Sequence, residues 1–352
     1  MIRPGETTIH HIAEKLGISA STVSRALKDN PLISLKMREL VKQTAQEMGY
    51  SPNILAASFR TRRTNTIGVI LPWINRHFFS SVISGIEDVA YNSGFTVTIA
   101  QSNDNYKKEA SIAHSFFANR IDGLIVSIGM QTTNYDHLKL FREKKIPIVF
   151  FDRIVNEIDS NRIVVDDYAG GYKATHHLVM QGRKRIAHVG GSLNLNIYRD
   201  RLKGYKDALA DAGLPIDETH IIHNKLTRED GLDAIKKLLV TQNRPDAIFC
   251  ANDVTALSII LHLKELGIKV PDDISLVGFS NEPFSEVVTP SISTIMQPGY
   301  AMGQKAAEMM IEEVVKHPEP VHFQTVVMPT DLIIRESSVV KKVSVPTGIL
   351  NC

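Results

Sequence analysis

Residues 7–27, TTIHHIAEKLGISASTVSRAL, decide how this chain is read. Thr8 is placed to cap a first helix whose inward positions are Ile12, Ala13 and Leu16. Gly17 ends that helix where the chain must bend, because glycine accepts a positive φ without a Cβ clash. Ser19 then suits the N-cap of a second helix. Ile18, Val23 and Leu27 supply its apolar stripe, and Ala13 is small where the two helices cross. The exposed face of the second helix carries Ala20, Ser21, Ser24 and Arg25. A third helix runs from Ser34 to Gly49, with Met37, Leu40, Val41, Ala45 and Met48 as its core face. Three such helices make a mini-core that places the second in a major groove, where short side chains allow close approach. Arg25, one turn on, can donate two hydrogen bonds to a guanine. Taken alone, the pattern is also compatible with a helical hairpin that binds nothing.

The next segment narrows the choice. Ser51 can cap and Pro52 can open a helix over Pro52–Arg60, too short to be stable by itself in water. Its Ile54, Leu55, Ala56, Ala57 and Phe59 are too apolar for a free linker. Two covers suit them: the same helix from a second subunit, and a DNA minor groove, where apolar wedges unstack a base step. Arg60, Arg62 and Arg63 follow, suited to phosphate contacts.

Charge agrees with this division. The net charge is +2 over 352 residues, but the first 65 hold ten basic and five acidic residues, and the remainder is slightly acidic. A polyanionic partner would therefore meet the head. With 43% hydrophobic and 22% charged residues the composition is that of an ordinary globular chain. No apolar run reaches the ~18–20 residues of a membrane span, and no signal-peptide core opens the chain. Cys250 and Cys352 are the only cysteines, so neither a disulfide framework nor a cysteine metal site is expected. The expected setting is a reducing cytoplasm.

From Thr66 the texture changes to short β-branched runs alternating with amphipathic stretches. Ile67–Leu71, Thr96–Ala100, Gly123–Ser127, Ile148–Phe151, Ile186–Gly190, Ala247–Cys250 and Ser275–Gly278 read as buried strands of parallel sheets. Helices are expected over Phe79–Ser93, Lys107–Asn119, Ala169–Gln181, Leu202–Ala212, Glu229–Thr241, Asp253–Leu266 and Gly299–Lys316. Two sets of βαβ units imply two doubly wound lobes, with a ligand between them at the carboxyl ends of the strands. No glycine-rich phosphate loop follows any strand, no nucleophile is paired with a base, and no metal motif appears. Gly190-Gly191 marks a turn near a ligand and nothing more, and the adjacent His176 and His177 read as ordinary helix residues.

The whole arrangement resembles the lactose-repressor/galactose-repressor family of bacterial transcription regulators, and the resemblance extends to about Ser338. In the body it rests on Val165-Asp166-Asp167 with Gly170-Gly171, Arg201-x-x-Gly204-Tyr205, Ala251-Asn252-Asp253, residues 270–275 (VPDDIS) and residues 332–338 (LIIRESS). It implies a small all-α helix-turn-helix head with a hinge helix, then a two-lobed α/β body like periplasmic binding proteins, built from two doubly wound parallel sheets. The domains are then 1–49, a hinge and linker over 50–65, an effector-binding and dimerisation domain over 66–338, and a tail over 339–352. Three crossovers would give an N-lobe of about 66–165 plus 295–324 and a C-lobe of about 166–294 plus 325–338.

The resemblance also implies roles. Ala20, Ser21 and Arg25 fall on base-reading positions, and Asn53 and Ala56 on hinge contacts. Phe59 stands where most members have a wedging leucine. With Thr8, Ser19, Ser24 and Arg60 these make the expected DNA-contacting set. The expected effector-binding set comprises Asn75, Phe78, Phe79 and Arg153 after strands, together with Arg201, Leu226, Asp253 and Asn281. Arg201 matches an arginine that reaches the cleft, or else enters a cross-lobe ion pair, and Asp253 matches an acid that accepts hydrogen bonds from ligand. Three departures bear on the ligand. Leu226 replaces an aromatic lid, Leu195 replaces the basic anchor of purine-binding members, and Ser280-Asn281 removes one hydroxyl acceptor. A sugar or sugar derivative is expected, with no cofactor and no catalysis. The expected partners are double-stranded operator DNA, that effector, and a second copy of the chain, with no membrane. Repression is the default, with activation from a differently placed operator as the other sense. A short tail without leucine heptads favours a dimer over a tetramer. The rival readings are a solute-binding transport protein, which has no use for residues 1–63, and an open α/β enzyme.

Overall fold

The structure is a computed structural model that describes residues 7–50, 63–316 and 322–340. The chain divides into two compact units between Thr64 and Asn65. The expected hinge helix, with Asn53, Ala56, Phe59 and Arg60, lies outside the described residues.

In the first unit, α1 (Ile9–Leu16), α2 (Ala20–Ala26) and α3 (Leu35–Glu47) pack around Ile12, Val23, Ala26 and Val41, all fully buried. Thr8 is the N-cap of α1, Gly17 closes it at φ 63°, and Ser19 Oγ accepts the Thr22 N–H at the start of α2 (3.2 Å). One core position differs from the sequence reading. Leu40 is 43% exposed, whereas Thr44 is buried and donates its hydroxyl to the Leu40 carbonyl (2.9 Å). The stripe of α3 is centred on Val41. At 100° per residue, Leu40 falls on its flank while Met37, Thr44, Ala45 and Met48 stay within it.

The second unit holds two six-stranded sheets. The first comprises β1 (Thr66–Leu71), β2 (Thr96–Gln101), β3 (Gly123–Val126), β4 (Ile148–Phe151), β5 (Asn161–Val165) and β11 (Thr325–Met328), ordered β11-β5-β4-β3-β1-β2 and all parallel. The second comprises β6 (Ile186–Gly190), β7 (Ile221–His223), β8 (Ala247–Cys250), β9 (Ser275–Phe279), β10 (Ser293–Met296) and β12 (Asp331–Ile333), ordered β12-β10-β9-β8-β6-β7. Only β12 runs antiparallel to its neighbour. Helices α4 (His77–Asn92), α5 (Tyr106–Ala118), α6 (Asp136–Glu143) and α12 (Gly299–Lys316) belong to the first lobe. The second lobe has α7 (Asp167–Met180), α8 (Asn196–Asp211), α9 (Arg228–Leu239), α10 (Asp253–Glu265) and the short α11 (Phe284–Val287).

Several expectations are corrected. Strand β2 is not buried: it pairs only with β1, and Thr96, Thr98 and Ile99 are exposed along the sheet edge. The lobe boundaries move toward the C-terminus. Ser293–Met296 pairs with β9 in the second sheet, and Thr325–Met328 pairs with β5 in the first. The chain therefore crosses at 165–166, 297–298 and 329–330, and the Asp166 N–H donates to the Met328 carbonyl (2.8 Å) to hold two crossings side by side. Helix α8 starts six residues before the expected Leu202, capped at Leu195, which brings Asn196, Ile197, Tyr198 and Arg201 onto ordered helix. The sequence pattern does not announce helices α6 and α11 or strands β5, β7, β10 and β11.

Helices α7 and α8 touch backbone to backbone. A Cβ on Gly171 would lie 2.3 Å from the Arg201 carbonyl oxygen, and one on Gly204 would lie 2.2 Å from that of Tyr168. This approach, with the Tyr205 hydroxyl donating to the Ile186 carbonyl (2.7 Å), fixes Arg201 beside Asp167. The sequence pairs Gly170-Gly171 and Arg201-x-x-Gly204-Tyr205 thus have a packing cause.

Candidate functional site

The head offers one surface with short polar side chains on a helix start. Ser21 and Arg25 are exposed on α2, and Ala20 and Ser24 are half-buried. Ser19 and Ser21 hydroxyls share a hydrogen bond (2.8 Å), and Ser19 and Thr22 share another (2.8 Å). Thr8 is half-buried at the start of α1, its N–H donating to His11 Nδ1 (3.3 Å). Nothing longer than serine stands at the N-terminal end of α2, so that end can approach another surface closely.

The body carries a cavity at the carboxyl ends of both sheets, of about 80 Å³ of water-centre space. Water needs roughly 10–15 Å³ by that measure, so the space suits a ligand that displaces a handful of waters. Of the expected effector residues, Phe78, Phe79, Arg153, Arg201, Leu226 and Asp253 line it. Asn75 and Asn281 do not. Asn75 is exposed in the turn between Trp73 and Arg76, which themselves reach the cavity. At Asn281 the backbone turns through positive φ at Ser280 (107°) and Asn281 (50°). That leaves Ser280 on the cavity and sends Asn281 Oδ1 to accept from Arg335 (3.0 Å).

First-lobe electrostatics centre on Asp104. It accepts hydrogen bonds from Arg153 Nη1, from Trp73 Nε1 (2.6 Å) and from the Met130 N–H (2.8 Å). Burial opposes its ionisation, but the Arg153 charge and these donors outweigh burial and hold the carboxyl below its ordinary value. Asp152 shows the opposite balance: burial lifts its carboxyl despite the neighbouring Arg153. Arg153 is only 6% exposed, and its Nε has no hydrogen-bond partner. In the second lobe Arg201 Nε donates to Asp167 (2.7 Å) and Nη1 to the Ala251 carbonyl (2.7 Å), while its guanidinium lies 3.5 Å over the Phe279 ring. The ion pair of Arg201 is therefore within one lobe rather than across the cleft. Asp253 accepts from the Thr294 hydroxyl (2.7 Å) and the Glu282 N–H (2.8 Å), yet burial still pushes its carboxyl up to about 7. Both of its oxygens are thus bonded within the protein.

The sequence gives no warning of Trp73, Arg76, Asp104, Tyr198, Lys225, Glu282 and Gln297, which also line the cavity. The Gly190-Gly191 turn carried a usable signal. A Cβ on Gly191 would lie 2.3 Å from the Tyr198 ring, so glycine there lets the ring lie against the backbone beside the cavity. Leu226 stands at φ 57° with its peptide held by Asn224 and Asn252 (2.9 and 3.1 Å), a costly conformation for a branched side chain.

Two contacts bridge the lobes. Glu282 accepts the His77 N–H at the first turn of α4 (3.2 and 3.3 Å to its two oxygens). Asn196, at the start of α8, accepts from the Ile154 N–H (3.1 Å) and donates to the Asp152 carbonyl (3.0 Å). Gln297, in a crossover, accepts from Ser280 Oγ (3.0 Å) and keeps a buried Nε2 without a partner.

Known proteins give a consistent match. The family described as periplasmic binding proteins and sugar binding domain of LacI family matches residues 64–336, and that described as bacterial regulatory proteins, lacI family, matches residues 8–53. Among curated relatives, the HTH-type transcriptional regulator DegA of Bacillus subtilis is 33% identical over 95% of this chain and 98% of its own. Catabolite control protein A of Priestia megaterium is 30% identical over 94% and 99%. Among solved structures, a transcriptional regulator CelR–cellobiose complex matches with TM-score 0.72 at 26% identity, over 94% of this chain and all of that one. A LacI family regulator from Enterococcus faecium with bound ribose matches at TM-score 0.66 and 26% identity, over 78% and 98%. The lac repressor dimer bound to operator shares the fold at TM-score 0.83 with 23% identity, over 95% and 100%.

Proposed function

The chain belongs to the lacI family of bacterial regulatory proteins, and on that premise we propose that it acts as a homodimer on a roughly two-fold-symmetric operator under the control of a carbohydrate or carbohydrate derivative bound between its lobes. Membership makes it a DNA-binding transcriptional regulator and not an enzyme. In our reading each subunit reads one half-site with Ala20, Ser21 and Arg25, supported by Thr8, Ser19 and Ser24. Asn53, Ala56, Phe59 and Arg60 act at the central minor groove, in the cytoplasm and in the sense of repression.

The observation that carries the effector reading is the cavity, where buried donors on Arg153 and Gln297 make no hydrogen bond and two sets of hydrogen bonds join the lobes. An unpaired buried donor costs ~1–3 kcal/mol, and a ligand with matching acceptors recovers that cost only in the arrangement where both lobes meet it. The similar proteins that hold cellobiose and ribose support a carbohydrate. A ligand shifts the lobes only by its differential affinity for the two arrangements. Because a hinge helix of about nine residues is marginal alone, a coupling of ~1–3 kcal/mol is enough to change operator occupancy.

A gel shift with the gene's own upstream region tests this directly. Binding should vanish on deletion of residues 1–63 and should change when a small-molecule extract or a sugar panel is added. Binding that survives the deletion would refute the head as reader, and indifference to every small molecule would refute effector control.

A further inference from the structure

We propose that the ligand of the cleft is an anionic carbohydrate derivative, a sugar phosphate or sugar acid, whose negative group is held by Arg76 from the first lobe and Lys225 from the second. The proposal rests on the reading of the cleft as the effector site and narrows its ligand.

Four cations and four carboxylates line the cavity: Arg76, Arg153, Arg201 and Lys225, against Asp104, Asp152, Asp253 and Glu282. Their pairing is unequal. Arg153 is paired with Asp104 and, through Nε at 3.8 Å, with Asp152, and Arg201 is paired with Asp167. Asp104 already takes three donors, Asp253 takes two from Thr294 and Glu282, and Glu282 takes the His77 N–H. Arg76 and Lys225 have no carboxylate within ion-pair distance among the described residues. Most of the lining carboxylates therefore already hold donors, with Asp152 taking Ser127 Oγ and facing Arg153 Nε at 3.8 Å, while four donor groups make no hydrogen bond among the described residues: Arg76, Lys225, Arg153 Nε and Gln297 Nε2. The last two belong to side chains 6% and 8% exposed, and neither atom has a hydrogen-bond partner.

A neutral sugar brings hydroxyls that must donate as well as accept, whereas Asp104, Asp253 and Glu282 already hold donors from the protein. An anion brings acceptors alone. Charge-assisted hydrogen bonds to such a group are about twice as strong as neutral ones. Burial that pushes the Asp253 carboxyl up to about 7 further reduces the negative charge facing a ligand. The geometry adds a conformational role. Arg76 immediately precedes α4 in the first lobe, and Lys225 lies in the second. Arg76, half-buried, and Lys225, exposed, line the cavity from different lobes, so an anion held by both favours closure.

The single tryptophan, Trp73, lines the cavity and donates to Asp104 (2.6 Å), so its emission reports occupancy. Full-length protein should be titrated with glucose, glucose 6-phosphate and glucuronate, with ribose and ribose 5-phosphate, and with inorganic phosphate alone. At least one charged sugar should bind about 10–100-fold tighter than its neutral parent and tighter than inorganic phosphate. Arg76→Gln and Lys225→Gln should each remove most of that preference. A neutral parent that binds as tightly overturns the proposal, as does a preference untouched by both substitutions, or binding of phosphate equal to that of the phosphorylated sugar. Silence from every probe also overturns it. Operator release by an unfractionated small-molecule extract would then show that effector control survives while its anionic class does not.

Discussion

Glu282 and His77 stand 205 positions apart in sequence, yet the carboxylate of the first accepts the backbone N–H of the second across the cleft (3.2 Å). A carboxylate at a helix start satisfies an amide that has no partner within the helix and meets the positive end of the helix dipole. Its two oxygens are nearly equidistant from that N–H. Together with the two bonds of Asn196 it forms a latch that exists only when the lobes are together. Glu282→Ala should accelerate hydrogen exchange of the His77 amide by roughly 5–30-fold and leave the Val69 amide, inside the first sheet, unchanged. Equal protection of His77 in both proteins would show that the latch does not hold the lobes.

Gly204→Ala places a methyl group 2.2 Å from the Tyr168 carbonyl and forces α7 and α8 apart. The cost should be about 1–3 kcal/mol in urea unfolding of the body, with a further loss of ligand affinity because Arg201 lies on the displaced turn.

Asp253 sets a pH dependence. Its carboxyl is pushed by burial up to about 7, above the ordinary 3.8 of an exposed aspartate. The folded protein therefore binds this proton more tightly than the unfolded chain does. The resulting stabilisation is full below about pH 4 and is lost as pH rises through 7. Asp253→Asn should flatten the fall in stability between pH 4.5 and 7.5, measured by urea unfolding at each pH. An unchanged slope would assign the dependence to other groups.

Arg25→Ala should relax sequence preference at one base position by about 1–3 kcal/mol, read from a binding-site selection with random half-sites. Loss of affinity without loss of discrimination would make Arg25 a phosphate contact instead.

Phe59→Ala tests the hinge. On the proposed wedge role, which belongs to the operator complex alone, operator binding should weaken much more than binding to unrelated duplex. Equal losses on both duplexes would remove that role.

Much of the architecture could be read from the residues because burial leaves periodic marks. Strands β4, β6 and β8 coincide with the apolar runs that announced them, and Gly17, Ser19 and Ser34 stand at the helix ends where backbone chemistry puts such residues. Edges were less legible. Thr96–Gln101 has the β-branched composition of a central strand, and composition does not report how many neighbours a strand has. The start of α8 is hidden because residues 192–196 (SLNLN) look like loop, although Leu195 is buried in the core.

The cleft divides along the same line. Phe78, Phe79, Arg153, Arg201, Leu226 and Asp253 follow strands or match the family pattern, and all reach the cavity. Asn281 fits the pattern as well, but two consecutive positive φ angles turn it toward Arg335. The sequence by itself determined that a three-helix head precedes two parallel-sheet lobes and which strand ends would face a ligand, because helix caps and hydrophobic period are local properties of the chain. Which charges are paired was decided only by tertiary structure. Trp73 and Arg153 meet Asp104, Asp167 takes Arg201, and Arg76 and Lys225 are left without carboxylates among the described residues, because the winding of strands and helices within each lobe brings together residues whose separation along the chain carries no record of their contact.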